Sequence, residues 1–348
     1  MSAFTDKDKL FMQRALELAQ LGLRNVSPNP MVGCVIVHND EIIGEGWHQE
    51  YGQAHAEVNA VNSVADLNKL KESAVYVTLE PCAHHGKTPP CADLLVQHQV
   101  NKVIIACTDP NPLVGGKGIE RLKDAGIEVI KGLLEPEAVL LNRRFFTYLS
   151  KNRPYVILKW AQTANGYTAR TNYDSKWISN EFSRKLVHKW RSEEDAIMVG
   201  TNTARYDNPT LNVRDWTGKD PIRIVIDKNL NLNNELNLFT TEQPTICYNC
   251  KNNKVEGNTT YVKIDDRANF LEQILNDLKD REIQSVFVEG GSQLLKSFIE
   301  QNLWDEARIF TGDIMFDDGI VAPTIEGKFV SKEDIMGDDL RIVRNEKG

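Results

Sequence analysis

The amino-acid sequence predicts an α/β fold in two domains. Its 348 residues are enough to build two hydrophobic cores. In both halves, short apolar runs typical of buried strands alternate with amphipathic helical patterns, which favours at least partly parallel sheets. A polar segment at 150–154 that ends in proline separates the halves. We therefore expect one domain over 1–150 and a second over 151–348.

The first half opens with a helical pattern over 8–21, in which apolar residues recur at helical spacing and a glycine follows. Pro28 and Pro30 then exclude a helix and favour a rigid loop. The remaining patterns predict strands at 32–37, 42–47, 74–79, 103–107 and 127–130, and helices at 54–64, 92–99, 118–125 and 137–149.

The second half restarts with a strand directly after the linker. Its patterns predict strands at 155–160, 196–199, 222–226, 245–248, 285–288 and 307–310, and helices at 182–190, 269–278 and 292–299. Beyond about residue 312 the tail carries no motif that we can assign. The second half is therefore also predicted as α/β.

Composition limits the partners. The formal net charge of −8 argues against a nucleic-acid partner, because duplex or tRNA binding usually needs a basic face. No apolar run approaches the ~18 residues of a membrane span, and the N-terminal segment is polar and charged. We therefore expect a cytoplasmic protein with neither a nucleic acid nor a membrane as partner. The sequence leaves the oligomeric state open, a homo-oligomer included.

One histidine and two cysteines form the strongest chemical pattern. In a cytoplasmic protein six cysteines favour metal or catalytic roles over disulfides. His55, Cys82 and Cys91 suit zinc and leave a fourth tetrahedral position for water, beside which Glu57 can carry a proton. The H-x-E…P-C pattern resembles the signature of zinc-dependent nucleobase deaminases, although eight residues separate Cys82 from Cys91 instead of the usual two.

A structural zinc site is the alternative, because it would take a fourth protein ligand. His84, His85 and Cys107 are the candidates for that ligand. A closed site would leave Glu57 without a role, so we favour a catalytic one. Its substrate would contain a ring carbon that bears an exocyclic amine. Water activated by zinc would replace this amine.

Longer motifs at 29–35, 48, 55–57, 78–82, 85–91 and 109–112 occur in this order. Together they resemble the deaminase half of the bifunctional riboflavin-biosynthesis deaminase–reductases, a family that accounts for the wide cysteine spacing. The resemblance implies a cytidine-deaminase-like three-layer α/β/α fold. It also implies that a small phosphorylated pyrimidine is bound by Asn29, His48, Lys87, Thr88, Asp109 and Asn111. Turn formation beside prolines is the alternative role of Asn29 and Asp109.

Motifs at 157–161, 175–179, 191, 199–203, 207–209, 211, 214 and 289–291 resemble the reductase half of the same family. That resemblance implies a dihydrofolate-reductase-like α/β fold that uses NADPH. The implied NADPH contacts are Ala161, Trp177, Thr203, Asp207, Gly291, Ser292, Gln293, Leu294, Leu295, Lys296 and Ser297. The implied substrate contacts are Lys159, Ser175, Arg191, Leu211, Arg214 and Glu289.

Charge and backbone patterns add to this resemblance. Arg191 and Arg214 suit the substrate phosphate, although a solvated surface charge is the commoner role of an arginine. An apolar strand that runs into Gly290 and Gly291 and then into a helix can hold a phosphate on backbone N–H groups, although such junctions are also common as simple turns. Asn165 replaces an aspartate that is usual in the family.

The predicted function is a pair of reactions on one substrate. Zinc-dependent deamination of a ribosylated diaminopyrimidinone 5′-phosphate would precede NADPH-dependent reduction of its ribosyl group to a ribityl chain, with Lys159 and Asp207 as candidate acids. Two other functions stay open: a nucleic-acid or nucleoside deaminase with an unrelated second domain, and a zinc-stabilised binding protein. The net charge and the order of motifs after residue 155 count against the first of these.

Overall fold

The structure is a computed structural model that describes residues 4–83, 89–111, 115–174, 178–267 and 269–347. The chain divides into two compact units, Met1–Asn152 and Arg153–Gly348. Both units are α/β, as predicted. No helix in the described ranges combines the length and the apolarity that crossing a membrane requires.

The first unit contains a five-stranded mixed sheet. Its strands are β1 (Gly33–His38), β2 (Glu41–Trp47), β3 (Ala74–Leu79), β4 (Lys102–Cys107) and β5 (Glu128–Lys131). They lie in the order β2-β1-β3-β4-β5. Strand β1 is antiparallel to both neighbours, and β3, β4 and β5 are parallel. The carboxyl ends of these three parallel strands therefore lie on one edge of the sheet.

Helices cover both faces of this sheet. They are α1 (Asp6–Gln20), α2 (Ala56–Asn62), a 3-10 helix (Leu67–Glu72), α3 (Cys91–Gln97), α4 (Lys117–Asp124), α5 (Glu135–Leu141) and α6 (Arg143–Ser150). Along β1, Val35 and Val37 pack with α1 and α5, whereas Cys34 and Ile36 pack with α2, α3 and α4. This alternation of period two gives three layers, as the family resemblance implies.

The single helix predicted over 137–149 is wrong, because Asn142 separates α5 from α6. The buried Asn142 amide accepts a hydrogen bond from the Met31 backbone N–H and donates one to the Met31 carbonyl, each 2.8 Å long. An asparagine that satisfies a distant backbone in this way interrupts the helix at little cost. It also fixes the proline-rich loop that ends at Met31.

The second unit contains a ten-stranded sheet. Its strands, with a separate pair β7 and β15, are β6 (Tyr155–Thr163), β7 (Tyr167–Ala169), β8 (Ala196–Val199), β9 (Ile222–Ile226), β10 (Thr245–Asn249), β11 (Lys254–Glu256), β12 (Thr259–Lys263), β13 (Ser285–Val288), β14 (Glu306–Gly312), β15 (Ile320–Val321), β16 (Lys328–Ile335) and β17 (Asp338–Arg344). The order is β11-β12-β10-β9-β8-β13-β6-β14-β17-β16. The seven strands from β12 to β14 are parallel, and the outer strands are antiparallel.

Helices also cover both faces of the large sheet. They are α7 (Glu181–Glu193), α8 (Thr201–Asp207), α9 (Asn237–Thr240), α10 (Phe270–Asp280) and α11 (Ser292–Glu300). Helices α10 and α11 pack on one face with alternate strand residues such as Val286 and Val288. Helices α7, α8 and α9 pack on the other face with residues such as Ile197 and Phe287.

Several elements of the second unit were not predicted. Helix α8 buries only Ala204, so it has no apolar stripe that a sequence pattern could reveal. The tail after residue 312 forms β15, β16 and β17, and most of β16 is exposed on both faces. Strand β17 pairs with β14 and extends the sheet. Its burial depends on a strand that lies about thirty positions earlier in the chain, which local propensity does not report.

Candidate active sites

Three predicted ligands meet in the first unit. His55 is the N-cap residue of α2, Cys82 follows β3, and Cys91 is the first residue of α3. His55 Nδ1 lies 3.6 Å from the Cys82 sulfur and 3.3 Å from the Cys91 sulfur. In the described part of the chain, this is the one group of three such side chains with all ligand atoms within 4.8 Å of one another.

These distances fit a zinc ion. Tetrahedral zinc with a histidine nitrogen at about 2.0 Å and a thiolate at about 2.3 Å separates the two donor atoms by about 3.5 Å. Hydrogen bonds from Cys91 and His55 hold the pKa of the Cys82 thiol well below its ordinary value, and the Cys91 backbone N–H is one of the donors, at 3.3 Å. The hydrogen bond to Cys82, together with burial, raises the pKa of the Cys91 thiol. The pair therefore favours a thiolate at Cys82, one of the two that zinc would take.

Glu57 is the proton carrier predicted for this site. It lies in the first turn of α2, two residues after His55, and its side chain is buried. Burial raises the pKa of Glu57 to about 7, and a cation on the neighbouring ligands would oppose that shift. A carboxyl group at this position can accept and release a proton near neutral pH.

The alternative ligands have different outcomes. The Cys107 thiol donates a hydrogen bond to the Thr78 carbonyl oxygen at 3.2 Å and is not part of the ligand group. His84 and His85 lie outside the described residues, as do the predicted substrate contacts Lys87 and Thr88.

His48 and Asn29 lie beside the ligand triangle. The His48 ring meets the His55 ring edge to face, with centroids 5.4 Å apart. His48 Nδ1 lies 3.1 Å from the Ala54 carbonyl oxygen, so Nδ1 carries the proton and Nε2 accepts from the Asn29 amide at 3.2 Å. Burial lowers the pKa of His48, which agrees with a neutral ring. The loop that carries Asn29 is the one that Asn142 fixes.

Asp109 and Asn111 lie in a turn that a further residue, Glu80, anchors. The Asn111 backbone N–H donates to the Asp109 carboxylate at 2.8 Å. The Glu80 carboxylate is buried and accepts backbone N–H groups of Asp109 at 3.4 Å, Gly116 at 2.9 Å, Gly118 at 2.9 Å and Ile119 at 3.2 Å. Glu80 thereby joins the Cys82 segment, the Asp109 turn and the start of α4.

No sequence pattern assigned a role of its own to Glu80. The available signal was a carboxylate at the end of an apolar strand, next to Pro81 and Cys82. The same packing explains Gly118, where a Cβ atom would lie 1.9 Å from the Pro81 carbonyl oxygen. Gly116 is the N-cap of α4, and Lys117 is its first residue.

A cleft of about 930 Å³ lies in the second unit, where β8, β9 and β13 end. The carboxyl ends of parallel strands are the usual ligand-binding edge of an α/β sheet. The predicted contacts that line it are Lys159, Ala161, Arg191, Thr203, Asp207, Arg214, Glu289, Gly291, Ser292, Gln293, Leu294, Leu295 and Ser297. Lys296 and Leu211 do not line it, and Leu211 is buried in the core instead. Ser175 and Trp177 lie outside the described residues.

Charged side chains in the cleft are largely paired with one another. Arg191 Nε and Nη2 donate to the two Glu289 carboxylate oxygens at 2.6 and 3.0 Å, and Lys159 Nζ lies 3.8 Å from the same carboxylate. Burial lowers the pKa of Lys159. Burial alone would raise the pKa of Glu289, but Arg191 and Lys159 hold it below its ordinary value. Arg214, with 57% of its side chain exposed, is the more accessible arginine.

The glycine pair after β13 brings backbone close to this cleft. A Cβ atom on Gly290 would lie 2.7 Å from the Val199 Cα atom, so only glycine fits beside β8. Gly291 is the N-cap of α11 with a φ of +39°, and its Cβ would lie 3.2 Å from Thr203 Oγ1. The first N–H groups of α11 are thus available to an anionic ligand near Thr203.

Asn165 has a structural position outside the cleft lining. Its Nδ2 donates to the Phe316 carbonyl oxygen at 2.7 Å, and its Oδ1 accepts from the Thr163 hydroxyl at 2.8 Å and from the Phe316 N–H at 3.3 Å. An aspartate could not donate to the Phe316 carbonyl, so the asparagine makes a bond of its own.

Both halves of the chain match known protein families. Residues 5–107 match the family model of the cytidine and deoxycytidylate deaminase zinc-binding region, and residues 154–324 match the RibD C-terminal domain. The chain is 41% identical over 334 residues to riboflavin biosynthesis protein RibD of Aquifex aeolicus, with 94% of this chain and 90% of that protein covered. It is 36% identical over 322 residues to RibD of Escherichia coli, with 87% of each covered.

Among solved structures, a Thermotoga maritima protein superposes with a TM-score of 0.89 at 36% identity, covering 97% of this chain and 99% of that one. That protein is described as a diaminohydroxyphosphoribosylaminopyrimidine deaminase and 5-amino-6-(5-phosphoribosylamino)uracil reductase. RibD of Acinetobacter baumannii superposes with a TM-score of 0.87 at 35% identity, covering 97% of this chain and 98% of that one.

Proposed function

Because the chain belongs to the RibD family and is accordingly a bifunctional zinc-dependent deaminase and NADPH-dependent reductase of riboflavin biosynthesis, we propose that its two sites act in turn on one small phosphorylated pyrimidine. The first substrate is 2,5-diamino-6-ribosylamino-4(3H)-pyrimidinone 5′-phosphate, and the second is its deaminated product. The description of the Thermotoga maritima relative supports this choice.

In the first unit the proposed chemistry depends on Glu57. His55, Cys82 and Cys91 would hold the zinc, which would supply an activated water at neutral pH. A Glu57 carboxylate oxygen takes one proton from this water and gives it to the leaving amino group, so the same carboxyl acts as base and then as acid. The Glu57 side chain is buried beside the ligands, where few solvent contacts compete with this transfer.

Four of the proposed substrate contacts of the first unit belong to the described residues. Asn29 and His48 are joined by a hydrogen bond next to the His55 ring. Asp109 and Asn111 lie in the turn held by Glu80. These polar groups can orient a pyrimidine ring so that its amine-bearing carbon faces the zinc ligands.

In the second unit, NADPH held in the cleft would supply a hydride to C1′ of the open ribosyl imine. The neighbouring nitrogen must then receive one proton, and Lys159 Nζ is the proposed donor, with Asp207 as the alternative. A lowered pKa favours proton release from Lys159. The start of α11 and Thr203 are proposed to hold the cofactor, and Arg214 is proposed to meet the substrate phosphate.

The six cysteines support a reducing compartment. All six are free thiols, and two of them are zinc ligands in the proposed site. Thiols of this kind persist in the cytoplasm. We therefore retain a cytoplasmic location as part of the proposal.

The observation that carries the proposal is the triangle of His55, Cys82 and Cys91 beside the buried Glu57. The test is Glu57→Gln, with Glu41→Gln on an exposed strand position as the control. We expect Glu57→Gln to keep zinc, to stop ammonia release from the diaminopyrimidinone phosphate, and to oxidise NADPH at the normal rate when given the deaminated product. Ammonia release by Glu57→Gln at the normal rate would contradict the assigned role.

A further inference from the structure

Two side chains of α7 contact the same backbone carbonyl oxygen, that of Asn212, in the second unit. His188 and Arg191 are three positions apart and therefore lie on one face of the helix. His188 Nδ1 lies 3.1 Å from the Asn212 carbonyl oxygen, and Arg191 Nη1 donates to the same oxygen at 3.2 Å. Arg191 also holds Glu289, so one helix face joins the 212–215 segment to the end of β13.

The second nitrogen of His188 faces the same segment. His188 Nε2 lies 3.3 Å from the Asp215 carboxylate, and the imidazole is only 2% exposed. The proton on Nδ1 makes the bond to Asn212. Burial, with Arg191 and Arg214 nearby, lowers the pKa of His188, which agrees with a neutral ring that carries this single proton. Both ring nitrogens nevertheless face the 212–215 segment.

The segment that His188 holds carries Arg214. Its start is anchored by Leu211, which is 2% exposed, and the Val213 N–H donates to Asp220 at 2.6 Å. Arg214, the residue after Val213, lines the cleft. Its side chain is 57% exposed and only 3.7 Å from Asp215, so its direction depends on how the short turn is held.

We propose that His188 is a positioning residue of the reductase site, which fixes the Asn212–Asp215 turn so that Arg214 faces the 5′-phosphate of the substrate. This proposal rests on the proposed function, because it takes Arg214 as the phosphate contact. The His188 ring also borders the cleft, but its two nitrogens face the Asn212 carbonyl oxygen and the Asp215 carboxylate. We therefore assign its effect on catalysis to Arg214, and a direct substrate contact by His188 would instead make the losses of the two variants additive.

A double-mutant cycle tests this dependence. We expect Arg214→Ala and His188→Leu each to raise the KM for the deaminated substrate by about tenfold, with kcat and the NADPH dissociation constant changed by less than about twofold. The double variant should be no worse than Arg214→Ala alone, because His188 has nothing left to position. An additive loss, or an equal loss of NADPH affinity, would overturn the proposal.

A conservative variant separates positioning from folding. In His188→Asn the introduced side-chain amide can replace the imidazole Nδ1 as the donor to the Asn212 carbonyl, so this variant should recover most of the KM. His188→Leu and His188→Asn should also differ in binding ribose 5-phosphate, measured by calorimetry without turnover. Equal binding by the two variants would overturn the proposal. Lys185→Gln, on the exposed side of α7, should behave as wild type.

The same measurements distinguish an error in the phosphate contact of Arg214 from an error in the positioning role of His188. If Arg214→Ala leaves the KM and the binding of ribose 5-phosphate unchanged, the phosphate contact assigned in the proposed function is wrong, and the role of His188 falls with it. If Arg214→Ala weakens both but His188→Leu weakens neither, only the positioning role is wrong.

Discussion

The two sites differ in the distance along the chain over which each is assembled. In the first unit, His55 and Glu57 share one helix start, and Cys82 and Cys91 are nine positions apart. The cleft of the second unit gathers Lys159, Arg191, Arg214 and Glu289 from separate elements across about 130 positions. The first site therefore forms a local sequence pattern with a chemical meaning of its own, whereas the residues of the second were assigned from the sequence only through family resemblance.

The sites also differ in how their charges are balanced. The first has two thiol ligands and a buried carboxyl, which a zinc cation would balance. In the second, Glu289 is already paired with Arg191 and lies close to Lys159. We therefore expect the first site to depend most on its metal and the second on an ion pair within the protein.

Removing one zinc ligand should give the largest effect and confine it to one site. Cys82→Ala should lose zinc and lower the deaminase kcat/KM by about 10³-fold or more, because two ligands cannot hold a catalytic zinc. Reductase turnover of the deaminated substrate should stay within about twofold. Metal analysis, ammonia release and NADPH absorbance measure the three quantities. Cys250→Ala is the matched control, and zinc retained by Cys82→Ala would refute the ligand assignment.

Breaking the ion pair should give the reverse pattern. Glu289→Gln leaves Arg191 and Lys159 buried without a counter-charge, which should lower the free energy of unfolding of the second unit by about 3 kcal/mol. The reductase kcat/KM should fall by about a hundredfold while ammonia release is unchanged. Urea unfolding and the two activity assays test this, with Glu300→Gln at an exposed position as the control. A deaminase loss of similar size would show that the two sites are not independent.

A variant at Glu80 tests whether zinc binding in the first site depends on the turn that contains Asp109 and Asn111. Glu80→Gln should weaken the bonds to the Asp109 turn and to the start of α4, and so cost about 1–2 kcal/mol of stability. Zinc should be retained, and the deaminase KM should rise by about tenfold because the turn is less fixed. Glu120→Gln, an exposed position on α4, is the control. Loss of zinc in Glu80→Gln would mean that Glu80 acts mainly on Cys82.

The smallest expected effect concerns Asn165. Asn165→Asp removes the bond to the Phe316 carbonyl and should lower stability by about 1 kcal/mol. Reductase activity should change by less than about twofold, because Asn165 does not line the cleft. Thermal unfolding and NADPH oxidation measure the two quantities. A large gain in reductase activity would instead indicate that a carboxylate at this position serves catalysis.

The features that could be predicted from the sequence are those with a local pattern of residues. Strands such as β3, β8, β9 and β13 match their predicted ranges because each is a short apolar run between breakers. The ligand triangle was predicted because His55, Glu57 and the Pro81-Cys82 pair form a local H-x-E…P-C pattern, with Cys91 shortly after it.

Contacts between distant residues were not predictable in this way. The sequence pattern places Asn142 inside a helix, yet its side chain accepts a hydrogen bond from the Met31 backbone N–H. Leu211 was assigned to the substrate by resemblance, but its side chain belongs to the core. Glu80 and His188 act on backbone groups that lie far along the chain, and no periodicity reports such bonds.

The bond between Asn142 and Met31 has a consequence for synthesis of the chain. It spans 111 positions, so this anchor of the loop that carries Asn29 can form only after almost the whole first unit has left the ribosome. The zinc ligands, the last of which is Cys91, emerge earlier. We therefore expect a nascent chain that ends before residue 142 to carry all three zinc ligands and still to lack this anchor of the Asn29 loop.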